Sequence, residues 1–573
     1  MKYLSTISNK ATTLKSLPMG KVGGALRMKK LYIWVTALIG LTMMACSDFI
    51  DQDNKGDIDQ GSYYTTVEGF KSLSNASYSM LRILYGGNPW LYVCGTDLFA
   101  TGRTALPVGL GTYGSSFTES NTDVKDFYTN YYKAISLVND VIYWGENDPS
   151  RAQLVDEARG LRAFYYYTLV QQFGGVPLVI ERNTSQITKV ERASAEDVYK
   201  FVINELTELS GASSLVDKAT GSNFGHFDKR AAAHFLAKAY LARGYENFGS
   251  AGDFASAKEN ADKAIGGMTL STPFATLFDM QNEQNEEIIF SVQYDVNTVE
   301  KETDGNMQQS HFGAYLDGPE KGHKYTTSTL TPTLRMHEVF ASSPQDERYD
   351  ATFMQELRAS YWDYYDEGKK NMSPVTYYYA PPWASDDASI AAWRAGLPSR
   401  ENAIVVTMTE EGPNIGGNIT TYISKMREDV YGVASFRKFD DTNRKGTFST
   451  TASMHDIFLA RVGETYLIAA EALIKSGKQA EALTYVNAVR ERAKATPATT
   501  SDMTIDYLLD ERARELAGEY HRWEDLKRTG KLAEYAEKYN PDISGGAVGE
   551  KTLRPIPLAA MELNSSLIQN PGY

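Results

Sequence analysis

Eight aromatic side chains crowd one span of this chain: Trp362, Tyr364, Tyr365, Tyr377, Tyr378, Tyr379, Trp383 and Trp393. No helical period accounts for their spacing, so they are not the seam of a single amphipathic helix. Flat rings of this kind can cover the apolar face of a sugar, while amide, carboxylate or guanidinium groups pair with its hydroxyls. Trp90 adds another ring within Gly86-Gly87-Asn88-Pro89-Trp90, where turn-forming residues are expected to hold the indole at the surface. Asn88, Asp97, Arg103 and Asp363 are candidate polar partners. The candidate ligand-binding set is therefore Trp90, Asn88, Trp362, Trp383, Trp393, Tyr377 and Tyr379, with core packing as the competing fate of each ring.

Residue patterns for covalent chemistry are sparse. Arg159 and Arg162, and Arg512 and Arg514 with Glu511, Glu515 and Glu519, lie at helical spacing and read as ion pairs tying adjacent helices. His521, in Glu519-Tyr520-His521-Arg522-Trp523, invites a general-base assignment but reads as part of a packing motif. The seven histidines form no pair with HExxH spacing, and the chain carries neither a Gly-x-Ser-x-Gly elbow nor a phosphate loop. No catalytic residue, metal or cofactor is expected. Glycoside hydrolysis stays open as a rival, because folding can bring together two of the 72 acidic residues. Cys94 follows Leu91-Tyr92-Val93 and reads as a small buried hydrophobe.

The elements that must position these residues begin with an export signal over 1–45. No acidic residue precedes Asp48, and Lys29 and Lys30 lead an apolar run from Leu31 to Ala45, short of the about 20 residues a membrane span needs. Met28 is a second candidate start. The run ends Met43-Met44-Ala45-Cys46, which looks like a bacterial lipobox with Cys46 as the lipidated residue. Removing the leader takes seven cations and moves the net charge from -14 to -21, a surface that repels nucleic acid. Residues 46–62 form a polar, acidic tether. Helical periodicity then dominates 63–266: Val155, Ala158, Leu161, Tyr165, Leu169 and Phe173 mark one amphipathic helix ending at Gly174-Gly175-Val176-Pro177, and Ser194 caps another. Two segments, Ala237–Lys258 and Ala469–Val486, resemble tetratricopeptide repeats, with small alanines for close helix approach and a glycine at the turn. Between them, 267–450 reads as loops carrying strands at Glu287–Val292 and Ala403–Met408, the place where a ligand site is expected. Helical repeats resume over 451–573.

Several segments together resemble the SusD/RagB family of Bacteroidota outer-membrane lipoproteins. They are Cys46-Ser47-Asp48-Phe49-Ile50-Asp51, the run Glu157–Leu178, Asp510–Leu516 with Glu519–Arg528, Leu553-Arg554-Pro555-Ile556-Pro557, and Gln569-Asn570-Pro571-Gly572-Tyr573. The resemblance implies a mostly α fold: a tetratricopeptide-type superhelix of four units, an irregular loop-rich binding region and a few short strands. It also implies a lipid-anchored protein on the exterior of the outer membrane, a non-enzymatic lid over a SusC-like TonB-dependent transporter that receives oligosaccharide. Some relatives serve peptides, so a peptide- or protein-binding role is the alternative within the family.

Overall fold

The helices that the periodicity predicts are present, and their ends are closed by the residues that can close them. In the computed structural model, which describes residues 60–103, 107, 109–184, 188–295, 305–409, 431–442 and 452–573, helix α1 spans Val67–Tyr85 and is capped by the Thr66 hydroxyl. Helix α2 spans Thr122–Gly145 under the Asn121 side chain, α3 spans Ala152–Phe173, and α4 spans Ala195–Gly211. As expected, the Ser194 hydroxyl accepts the amide of Asp197 at 3.1 Å, and α3 stops at Gly174 with φ of 70°. Helices α5 (Lys229–Arg243) and α6 (Ala251–Ile265) follow, then α7 (Asp387–Ala395), α8 (Val462–Lys475), α9 (Gln479–Arg492), α10 (Ile505–Leu516) and α11 (Arg522–Arg528). Cys46, the leader and nearly all of the tether lie outside the described residues.

Helices α1 to α6 each pack on the next, and α8 packs on α6 and then on α9. Four helix pairs thus stack in succession, the number expected of tetratricopeptide-type units. The two repeat-like segments meet directly: Ala469 and Ala472 of α8 share a buried cluster with Ala237 and Leu241 of α5 and with Phe254, Ala257 and Ala261 of α6. Small side chains let these backbones approach closely.

Helix α3 departs from expectation. The sequence reads as amphipathic, yet every residue from Gly160 to Phe173 is buried. Neighbouring helices α2 and α4 cover two sides, and Phe227 presses on the one at Gly160, where an added Cβ would stand 2.3 Å from the ring. The polar residues of this helix are paired inside: Arg162 bonds Glu205 and Asn139, and Gln171 bonds Tyr199.

The excursion between α6 and α8 leaves and returns through one antiparallel pair, β2 (Ile288–Val292) on β9 (Ile457–Arg461). All ten of those residues are buried, so this two-stranded clasp anchors the looped region to the frame. The other strands are short. β1 (Phe99–Thr101) pairs β3 (Leu330–Pro332), and β4 (Phe353–Met354) pairs β8 (Ser435–Phe436). β5 (Glu356–Arg358), β6 (Val375–Ala380) and β7 (Ile404–Thr407) make a three-stranded sheet in which β6 and β7 run parallel. The predicted strands at Glu287–Val292 and Ala403–Met408 correspond to β2 and β7. Residues Tyr64–Tyr573 form one compact unit.

Candidate functional site

Strand β6 presents Tyr377 half-buried, level with Leu357 of β5 and Ile404 of β7. Its ring stacks on Tyr431, centroids 4.5 Å apart and planes 8° from parallel, and on Tyr379 at 6.4 Å and 17°. The Tyr431 hydroxyl donates to Asp317 at 3.1 Å. Burial pushes the Tyr431 phenol up to about 12, and Asp317, Tyr377 and Tyr315 add to the cost of ionising it. Nearby, the exposed guanidinium of Arg103 lies 3.6 Å over the half-buried ring of Tyr315. Tyr377, Tyr431, Tyr315 and Arg103 therefore form an accessible aromatic strip ending in a cation, with Asp317 as its carboxylate, while Tyr379 is only 1% exposed and backs the strip from the core.

Long-range bonds hold each part of the strip. Arg103 follows β1, where Gly102 and Arg103 donate to the carbonyls of Thr329 and Ser328 at 2.8 Å and so prolong the pairing with β3. Tyr315 and Asp317 sit on a loop whose ends are tied by Ser310 and Thr327. Asp317 and Gly318 both take positive φ, 60° and 75°, a turn that short polar side chains and glycine tolerate. Lys324, fully buried, donates to Asp440 at 2.6 Å, and the same carboxylate accepts the hydroxyls of Tyr361 and Tyr365. Burial pushes the Lys324 ammonium down, against the pull of Asp440. That knot fastens the Tyr315 loop to the 431–442 segment.

The expected site residues fall in several places. Trp90 was expected at the surface but is only 6% exposed. It opens a helical turn, Trp90–Val93, and its indole meets the ring of His311 edge-on at 4.6 Å. The turn signal describes the backbone at Asn88-Pro89 correctly, and Asn88 is exposed, but the distant His311 covers the ring. Asp97 is buried in a pair with Arg522 at 2.6 Å. Trp362 is 9% exposed and lies against Tyr361 and Tyr365. Trp383 is half-buried, edge-on to Tyr349 at 4.7 Å. Trp393, on α7, stacks on Tyr378 at 3.8 Å, donates its Nε1–H to Glu356 at 2.8 Å and lies 4.9 Å from Arg400. Asp363 accepts the Ser373 hydroxyl. Of the candidate set, Tyr377 joins the strip; Tyr379, expected to bind ligand, is instead packed into the core behind it at 1% exposure.

Tyr315, Asp317 and Tyr431 were missed. The turn chemistry that singled out Trp90 recurs in Tyr315-Leu316-Asp317-Gly318-Pro319 and, more weakly, in Tyr431-Gly432, so a signal was available for both tyrosines.

The charged motif near the C-terminus is structural, as read. Arg348 bonds Asp346, Glu511 and Glu515, while Arg461 bonds Glu515 and Glu519. Arg492 adds Glu287 and Glu515, Arg512 adds Asp525, and Arg528 adds Glu471. Burial opposes ionisation of Glu511, but Arg348, Arg514 and Arg490 prevail and hold its carboxyl down to about 2. His521 sits inside this network, its imidazole pushed down to about 4 by burial. Cys94 is buried, and burial pushes its thiol up.

Comparison with known proteins matches this architecture. A model of the SusD family fits residues 286–573, and one described as "Starch-binding associating with outer membrane" fits residues 110–241. The SusD-like protein P2 of Formosa agariphila is 26% identical, covering 95% of this chain and all of that protein. Starch-binding protein SusD of Bacteroides thetaiotaomicron is 26% identical over 75% of this chain and 74% of its own length. Among solved structures, a laminarin-binding SusD-like protein superposes with a TM-score of 0.64 at 21% identity, covering 88% of this chain and 99% of that one. With a family model matching residues 286–573, half of its length, the chain belongs to the SusD family.

Proposed function

We propose that this protein captures a glycan on the tyrosine strip at the exterior face of the outer membrane, held there by acyl chains on Cys46, and passes it without cleavage to a SusC-like TonB-dependent transporter. The observation that carries the reading is the near-parallel Tyr377–Tyr431 pair extended by Tyr315 and Arg103. The half-buried rings of Tyr377, Tyr431 and Tyr315 put aromatic surface in series, which suits the repeating apolar faces of a polysaccharide, and Asp317 and Arg103 suit its hydroxyls. Relatives whose names specify starch and laminarin binding support the ligand class. Trp383 and Trp393 are already engaged by Tyr349, Tyr378 and Arg400, and Tyr378 alternates to the face of β6 opposite Tyr377, so Trp393 packs across the sheet from the strip.

Affinity electrophoresis against laminarin and starch tests the site. Tyr377→Ala and Tyr431→Ala are expected to weaken binding about tenfold or more, roughly 1.4 kcal/mol. Undiminished retention of both variants on a glycan that the parent binds would sink the assignment, and reducing ends released in proportion to protein would point to a hydrolase instead. Cys46→Ala is expected to move the protein from the membrane fraction to the soluble one, and continued acyl labelling of that variant would contradict the anchor.

A further inference from the structure

A cavity of about 770 Å³ lies on a part of the molecule that shares no lining residue with the tyrosine strip. Its size falls within the range of small-molecule sites. Helix α1 forms one wall through Asn75, Tyr78 and Arg82; Phe224 and His226 form a second, and Gln284 stands on a third. The polar groups facing it divide into those the protein has used and those it has not.

Arg82 is the main uncommitted group. Its Nε donates to the Gln293 carbonyl at 2.8 Å and its guanidinium lies 5.1 Å over the Tyr294 ring. These two contacts fix the plane of the fork. They leave both Nη atoms without an acceptor among the described residues. His226 is fixed in the same manner: Nδ1 lies 2.8 Å from the buried carboxylate of Glu157, which also accepts the Tyr78 hydroxyl at 2.9 Å, so Nε2 is left over. The Tyr78 and His226 rings lie 4.7 Å apart and, with Phe224, give the cavity an aromatic side.

The three lining carboxylates, Glu283, Asp456 and the exposed Asp295, all have partners within the protein. Asp456 accepts the Tyr294 amide at 2.7 Å and the Gln293 side chain at 2.6 Å. Glu283 accepts the Asp456 amide at 2.6 Å and lies 3.1 Å from His455. Both ring nitrogens of His455 face backbone carbonyls, those of Asp456 and Phe278, at 2.8 and 2.9 Å. A carbonyl only accepts, so both nitrogens carry protons, and this imidazolium offsets the acidic floor from within. What remains to meet a ligand is a planar cationic fork, an imidazole nitrogen, amides and a small aromatic wall.

We propose that this cavity is a second ligand site, for a sugar acid: the Arg82 fork takes the carboxylate in a two-point contact, and His226, Asn75 and Gln284 take ring hydroxyls against the Tyr78–Phe224 side. The site is independent of the tyrosine strip and goes beyond the glycan capture assigned to it.

Titration calorimetry of the detergent-solubilised full-length protein with D-glucuronate tests it, with D-glucose and D-glucosamine as matched probes. One glucuronate is expected to bind per chain, at least tenfold tighter than either probe. Arg82→Met is expected to weaken it tenfold or more, and Tyr431→Ala to leave it unchanged. Gln284→Trp, which fills the cavity from an exposed position, is expected to abolish binding without touching Arg82, and so decides the matter should Arg82→Met fail to fold. No heat with glucuronate at millimolar concentration, equal binding of glucose, tighter binding of glucosamine, or indifference to Gln284→Trp would each overturn the proposal.

Discussion

A single carboxylate illustrates how much rests on the charged motif. Glu515 is fully buried and meets Arg348, Arg461 and Arg492, which belong to the looped region, the returning strand β9 and helix α9. Removing its charge leaves three buried cations short of a partner, and breaking a buried pair in this way costs about 3–5 kcal/mol. Urea unfolding of Glu515→Gln is expected to register that loss; a change below about 1 kcal/mol would contradict the network's role. Acid tests the neighbouring Glu511. Its folded-state carboxyl titrates near 2 against an ordinary value of 4.5, so its contribution is present above 4.5 and is lost as pH falls through that window toward 2. The stability of the parent is expected to drop across that interval, and the Glu511→Gln variant to drop less steeply.

Within one helix, the glycine at position 160 looks misplaced, since glycine weakens a helix interior by about 1 kcal/mol relative to alanine. The packing explains it: Phe227 occupies the space that a Cβ would need, with ring carbons 2.3 and 2.4 Å from that position. Gly160→Ala is therefore expected to destabilise by about 1–3 kcal/mol despite the better helix propensity, because the ring or the helix must move. A rise in thermal midpoint for this variant would show that the contact yields freely. The alanines at the α5, α6 and α8 contact follow the same logic of close approach, and there the small residue was readable because it recurs in a repeat.

For the chain as a unit, the frame and the looped region are joined by the β2–β9 clasp and by ion pairs that reach from Arg348 and Lys438 to Glu515 and Glu519. Neither part can leave without exposing buried charge. Thermal unfolding followed by tryptophan fluorescence, to which Trp362, Trp383 and Trp393 of the looped region contribute alongside Trp90, Trp144 and Trp523 of the frame, and by far-ultraviolet circular dichroism, which samples the helices, is expected to give single, coincident transitions. Separate midpoints would mean that the looped region melts alone.

The helices, their caps, the strands β2 and β7 and the repeat signature were legible in the amino-acid order because each depends on neighbours a few positions away: Ser194 on Asp197, Gly174 on the end of α3, Ala469 on Ala472. The ion-pair reading of the C-terminal motif held, but local spacing accounts only for Arg514 on Glu511; Arg512 reaches Asp525 and Glu515 reaches Arg348, Arg461 and Arg492, partners that only the tertiary structure supplies. The fate of each aromatic ring was not legible. Trp90 is covered by His311, Tyr377 meets Tyr431, and Arg103 meets Tyr315, each across a long stretch of chain. Whether a ring becomes core or surface depends on which distant side chain reaches it first, and knots such as Lys324 with Asp440 decide that only once the chain has closed on itself.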